Sequence, residues 1–162
     1  MITVRELGPD DWVTWRDLRL AALAEAPDAF HSRLADWVGA GEDTWRERLV
    51  APGRYLVADL DGKPSGMVIA VPPDENGVAD LISLWVAPHA RGTGAADALI
   101  EAVLGHATGW GAVRLALHVV RGNTRAAALY RRHGFVDLGL VRQPDGIVEH
   151  RMERPVAVRG RA

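Results

Sequence analysis

The chain has 162 residues, is 48% hydrophobic and carries a formal net charge of -2, which fits one globular domain and speaks against a dedicated nucleic-acid binder, whose domains carry a strong basic excess. It has no cysteine and its six histidines form no HExxH or i, i+4 pair, so disulfides, thiolate metal sites and a cysteine nucleophile are excluded and no metal is expected. The amino terminus "MITVRELGPDDW" is charged and no apolar run reaches the roughly eighteen residues of a membrane span, so a cytoplasmic protein with no membrane partner is expected.

Ile2 to Leu7 reads as a strand. "GPDD" then offers Asp10 or Asp11 as an N-cap, and Trp12, Trp15, Leu18, Leu20, Ala22 and Leu23 populate a helix that should stop near Pro27. From Phe30 to Pro52 two short helices are expected, broken at "VGAGED", the second starting after an Asp43 cap. "RYLVADLDGKPSGMVIAV" is a hairpin turning at Asp61-Gly62, a dipeptide that accepts the positive φ of a tight turn. "VADLISLWV" is a further strand, apolar enough toward its end to be buried on both faces there.

A helix follows from about Gly94 to His106, with Ala98, Leu99, Ala102 and Val103 on one face. "VRLALHVV" is a strand, "NTRAAALYRRH" a helix stopped by Gly134, and "FVDLGLVRQ", "PDG" and "IVEHRMER" make a final hairpin. The result is one α/β domain over 1–154 and a tail over 155–162.

The stretch "VAPHARGTGAADALI", Val86 to Ile100, departs from a generic domain. A glycine-rich turn entering a helix leaves N–H groups unpaired at the positive end of the helix dipole, which makes an anion site. The dipole supplies only about 0.3–1 kcal/mol per charge, so a diphosphate held by several N–H groups is the natural guest. Gly92 and Gly94 permit close approach and Arg91 adds a charged donor. A plain strand-to-helix turn explains the same letters. The lysine of GxxxxGK[ST] is missing, and Asp97 stands where a dinucleotide fingerprint needs its third glycine.

A third pattern fits. Arg91-x-x-Gly94-x-Ala96, preceded by "LWVAP", resembles the acetyl-CoA signature (Q/R)xxGx(G/A) of the GNAT N-acetyltransferases. "LALHVVRGNTRAAALYRRHGF" is similar to that family's second block, with Asn123, Ala127, Tyr130, Gly134 and Phe135 each matching. The resemblance is close from about Leu81 to Leu138. It implies a central mixed, mostly antiparallel twisted sheet of about seven strands, splayed between the fourth and fifth and flanked by about four helices.

It further implies acetyl-CoA as co-substrate, with the pantetheine arm on the backbone of Leu84, Trp85 and Val86. The diphosphate falls on Arg91, Gly92, Thr93, Gly94, Ala95 and Ala96, and an oxyanion-type N–H near Val86 polarises the carbonyl. Asn123, Ala126, Ala127 and Tyr130 flank the arm, the alanines being small enough to let it pass. Tyr130 holds the position of the family's general acid, although a half-buried helix tyrosine looks the same. Many relatives carry a carboxylate where Ile82 and Ser83 stand here. His118 is the alternative base: it interrupts an apolar strand twelve residues before Tyr130, the spacing of a catalytic glutamate in the ribosomal-protein alanine acetyltransferases. An imidazole is largely neutral at pH 7 and can take a proton directly or through one water. A histidine bonded within the sheet is the competing reading, and Asp80 or a water relay is the fallback base.

In this family the first helices and terminal hairpin choose the acceptor. Trp12, Trp15, Trp37 and Trp45, beside Asp28, Asp36, Glu42 and Asp43, suit either a cationic amine or simple packing and capping. "APDAFHS" is the natural wall or lid of that pocket. The expected acceptor is a small-molecule primary amine such as an amino acid, polyamine or antibiotic; a protein amino terminus or lysine is the alternative. A non-catalytic acyl-CoA sensor and a homodimer stay open, while the charge balance discounts RNA-directed acetylation, and no nucleic-acid partner is expected.

Overall fold

The computed structural model describes residues 1–50 and 52–156. In chain order the elements are β1 (Ile2–Leu7), α1 (Trp12–Glu25), α2 (Leu34–Trp37), α3 (Glu42–Arg48), β2 (Arg54–Leu60), β3 (Lys63–Val71) and β4 (Val78–Val86). These are followed by α4 (Ala95–Gly109), β5 (Arg114–Val120), α5 (Thr124–Arg132), β6 (Val136–Arg142) and β7 (Val148–Pro155). All seven strands join one sheet in the order β1-β2-β3-β4-β5-β7-β6. Of the strand pairs among the described residues only β4 and β5 run parallel, with α4 as the crossover between them.

The alternation of side chains along the strands builds two cores. Leu56, Ala58, Val68, Ala70, Leu115 and Leu117 turn to the face covered by α4, where Leu99, Ile100 and Val103 are fully buried. Tyr55, Val57, Met67 and Ile69 turn to the opposite face, against Trp15 and Leu18 of α1 and Trp45 of α3. Each fully buried aliphatic side chain contributes about 1.5–3 kcal/mol. The tight turn between β2 and β3 has φ 50 at Asp61 and 83 at Gly62, the two left-handed residues that the Asp-Gly pair predicts.

Several local expectations need correction. Asp11 occupies the N-cap position of α1, but its carboxylate accepts from the Gly8 N–H at 2.9 Å and makes no cap bond. Gly41, in extended conformation, caps α3, so Asp43 falls inside the first turn, where its charge suits the helix dipole. Helix α4 begins at Ala95, since Gly94 is left-handed (φ 89), and runs on to Gly109. The end of β4 is not buried on both faces: Ile82 is 43% exposed, and Ser83, Leu84 and Val86 are only half-buried. Beyond Asp80 no partner strand covers that edge. Strand β7 extends through Pro155, and Val156 is buried with its N–H on Val113 O at 3.0 Å. The remainder of the expected tail, 157–162, lies outside the described residues. Among the described residues no helix is long and apolar enough to cross a membrane.

Candidate active site

Strands β4 and β5 pair only over Val78–Asp80 and Arg114–Ala116, then part. The gap is widened by a bulge: Met67 faces Trp85 and Ile69 faces Ile82, so β4 carries one residue more than β3 across this step. Ser83 absorbs the excess with φ 58, a left-handed conformation costing a non-glycine residue about 1–3 kcal/mol. Past the bulge, Ala87 N–H donates to Ser65 O at 2.8 Å. By strand alternation the N–H and C=O of Val86 therefore face the gap, where its carbonyl accepts from Arg91 Nε at 3.2 Å.

The gap opens into a cleft of ≈ 640 Å³. Of the residues singled out from sequence, Leu84, His118, Asn123, Ala126 and Tyr130 line it together. Ala127 does not; it is buried in the α4-side core. Trp85 is buried on the α1 face and its Nε1–H donates to Glu25 Oε2 at 2.9 Å. Burial pushes the Tyr130 phenol well above its ordinary value, and no hydrogen bond contributes to that shift. The phenol is thus a protonated donor at the cleft wall. Asn123 caps α5, its Oδ1 accepting from Ala126 N–H at 3.2 Å, so only its amide N–H groups remain for another partner. His118 is exposed to the cleft. Asp80 does not line it; burial raises its proton affinity, opposed by Arg151 and His118.

Trp85, Val86 and the residues from Arg91 to Ala96 do not line this cleft; Gly92 (φ 79) and Gly94 (φ 89) set the loop before α4. Nothing lies within 4 Å of the space a side chain would occupy at either. The first bond of the turn is Ala98 N–H to Gly94 O at 3.0 Å, and among the described residues the N–H groups from Gly92 to Asp97 meet no acceptor. Unpaired N–H groups at the start of a helix have the arrangement that an anion cradle in main-chain atoms requires. Thr93 is tied back by its hydroxyl to Ala90 O. Arg91 Nη2 donates to both Glu25 oxygens at 2.9 Å, so its guanidinium braces the loop against α1. The Glu25 carboxyl is held below its ordinary value, first by the Trp85 bond and then by Arg91, against some desolvation. Asp97 in the first turn of α4 accepts from His133 Nε2 at 2.7 Å and Arg132 at 3.2 Å, which joins α4 to α5.

The acceptor side of the cleft holds groups with no sequence signal. Ala29, Phe30, His31 and Ser32 form a wall, as the "APDAFHS" segment predicts. His31 bonds Asp145 in the β6–β7 turn and approaches Glu149 Oε2 at 3.2 Å, closing this wall onto the terminal hairpin. Glu149 is buried and also accepts from Gln143 Nε2 at 2.8 Å. The acids Asp28, Asp36, Glu42 and Asp43 are exposed and line neither of the two cavities described, and none of them makes a cap bond, while Trp15 and Trp45 are core residues, so packing accounts for those two tryptophans. Among the described residues no group of three or more acids and histidines forms a metal cluster.

The chain matches the family model for acetyltransferases of the GNAT family over residues 12–135. No curated protein matches it. Among solved structures it is similar to a GNAT-family acetyltransferase from Streptococcus pneumoniae, with TM-score 0.78 and 22% identity over 97% of this chain and 100% of that one. It is similar also to a phosphinothricin acetyltransferase from Sinorhizobium meliloti in complex with AcCoA, with TM-score 0.78 and 19% identity over 99% and 92%. The ribosomal-protein-S18-alanine N-acetyltransferase from Escherichia coli aligns with TM-score 0.71 and 21% identity over 99% and 97%. The family match over most of the chain agrees with the splayed sheet, the glycine loop before α4 and the cleft, and the chain belongs to the GNAT family of acyl-CoA-dependent N-acetyltransferases, which use acetyl-CoA as co-substrate.

Proposed function

We propose that this protein transfers the acetyl group of acetyl-CoA to a primary amine of a small molecule, by direct attack in a ternary complex. The observation that carries the proposal is the convergence of Leu84, His118, Asn123, Ala126 and Tyr130 on one cleft, in a chain whose loop before α4 leaves the N–H groups from Gly92 to Asp97 without an acceptor among the described residues.

The cradle from Gly92 to Ala96 suits a diphosphate, and the edge of β4 at Leu84 to Val86 suits an extended amide-bearing arm. Bound there, the co-substrate supplies an activated thioester. The Val86 N–H, turned to the gap, is oriented to donate to an oxygen on which negative charge develops. The Tyr130 phenol holds a proton at Oη for the departing thiol. Its raised proton affinity keeps that proton in place across the working pH range.

His118 is the base in this reading, taking the ammonium proton directly or through one water. Its side chain shares the cleft with Tyr130, whereas Asp80 does not. Incubation with acetyl-CoA and an amine panel, with free thiol as readout, tests the transfer. Binding of coenzyme A without thiol release for any amine would leave a non-catalytic sensor. His118→Ala is expected to lower kcat and to remove the acid limb of its pH profile; an unchanged limb assigns the base elsewhere.

A further inference from the structure

Beside the main cleft lies a second cavity of ≈ 170 Å³, sharing Arg19, Ser32, Ile82 and Ser83 with it. Its other walls are Trp15, Trp37, Trp45, Arg48, Tyr55 and Ile69. Two guanidinium groups thus face a space that contains no acid. Among the described residues neither Arg19 nor Arg48 has a carboxylate within 4.0 Å, whereas Arg5, Arg46, Arg91 and Arg114 all do. Arg19 is half-buried, stacked on Phe30 at 4.9 Å, and donates from Nη1 to Ser83 Oγ at 3.2 Å. Arg48 stacks on Trp37 at 4.3 Å. Stacking fixes both planes but leaves their edge donors free, and two such forks beside hydroxyls match a planar oxyanion.

We infer that the acceptor is an amine that also carries a carboxylate or similar oxyanion, which Arg19 and Arg48 hold in this side cavity while the amine reaches the main cleft. This rests on the acetyl-transfer reading and narrows it to amino-acid-like acceptors, against polyamines. The two cavities are contiguous, since Arg19, Ser32, Ile82 and Ser83 line both, so an anion held in one lies next to an amine in the other. Burial lowers the proton affinity of Arg19 and the charge on Arg48 adds to this, an unfavourable pairing that an incoming anion relieves. An isolated ammonium would find no compensating acid here.

The test is thiol release from acetyl-CoA with the common amino acids, their carboxamides and spermidine. The expected result is a kcat/KM about 10- to 100-fold higher for the carboxylates than for their carboxamides, the range of one or two charge-assisted hydrogen bonds. Arg19→Gln should erase most of that ratio through KM, and Arg19→Lys should restore part of it. Heat of coenzyme A binding checks that each variant is folded. Equal rates for carboxylates and carboxamides, a preference for spermidine, or an Arg19→Gln loss shared equally by both classes overturns the inference and leaves acetyl transfer standing. If no amine releases thiol, the transfer reading fails instead. N-acetyl amino acids then decide the anion site, by raising the Tm of the wild type and not of Arg19→Gln/Arg48→Gln, or by failing to.

Discussion

In the Arg91–Ala96 loop the groups left without partners among the described residues are main-chain N–H groups set by two left-handed glycines. At the α1 end the groups that line the cavities are side chains, Arg19, Arg48 and His31, brought from separate segments. The first construction tolerates almost any letter that keeps the backbone path, because the ligand reads amides. The second depends on particular side chains and is free to change from one relative to another without disturbing the fold. One scaffold can therefore keep its co-substrate and exchange its acceptor.

The largest expected effect lies where the two ends meet. Tyr130→Phe keeps the ring that packs edge-on against Phe135, with centroids 5.8 Å apart, and removes only the proton donor. We expect kcat to fall about 10²–10⁴-fold with the Kd for coenzyme A unchanged, measured by steady-state kinetics and calorimetry.

Next, Gly94→Val forces a β-branched residue to φ 89 at a conformational cost of about 1–3 kcal/mol. It should weaken coenzyme A about 10- to 100-fold. Arg91→Ala, whose guanidinium is spent on Glu25 and Val86, should weaken it less. The opposite order would break the distinction between a main-chain end and a side-chain end.

Asn123→Ala removes the cap of α5 and should cost about 0.5–2 kcal/mol of stability, read as a lower denaturation midpoint.

The smallest effect concerns the clasp between His31 and the terminal hairpin. The Asp145 bond chiefly raises the proton affinity of His31, so this contribution is complete below the ordinary imidazole range and is lost as pH climbs through the raised value. The His31 bond chiefly lowers that of Asp145, whose share is present above the ordinary carboxylate range and lost as pH falls through the lowered value. The clasp is firm between these limits. Hydrogen exchange of the hairpin around 143–149, corrected for its intrinsic pH dependence, should quicken on the alkaline side in the wild type and lose that dependence in His31→Ala.

The same division explains what could be read from the letters. Asp61-Gly62, Gly94, Asn123 and Gly134 act through local backbone rules, so their turns and stops were legible, as was the cradle before α4. The pairing of Arg19 with Ser83, 64 residues away, and of His31 with Asp145, 114 away, exists only once the sheet has formed. Glu25, which receives both Trp85 and Arg91, looks like any exposed helix acid in sequence. The half-open end of β4 was misread because an apolar run shows how much surface can be buried, not whether a neighbour arrives to bury it. The tryptophans near the amino terminus suited either a cationic amine or packing; burial claims Trp15 and Trp45, and Arg16, Arg46 and Arg48 stack on Trp12 and Trp37.

Among the described residues the three-residue parallel contact between β4 and β5 is the one strand pairing that joins two antiparallel half-sheets, riveted from below by α4. A guest lying along such a seam stitches the halves together, so its binding energy is added directly to the work needed to pull the molecule apart. At a hundred times its Kd that reinforcement is about 2.7 kcal/mol, a sizeable share of what holds a domain of this size. The empty and the loaded protein should therefore differ in mechanical and thermal endurance even where their backbones superimpose.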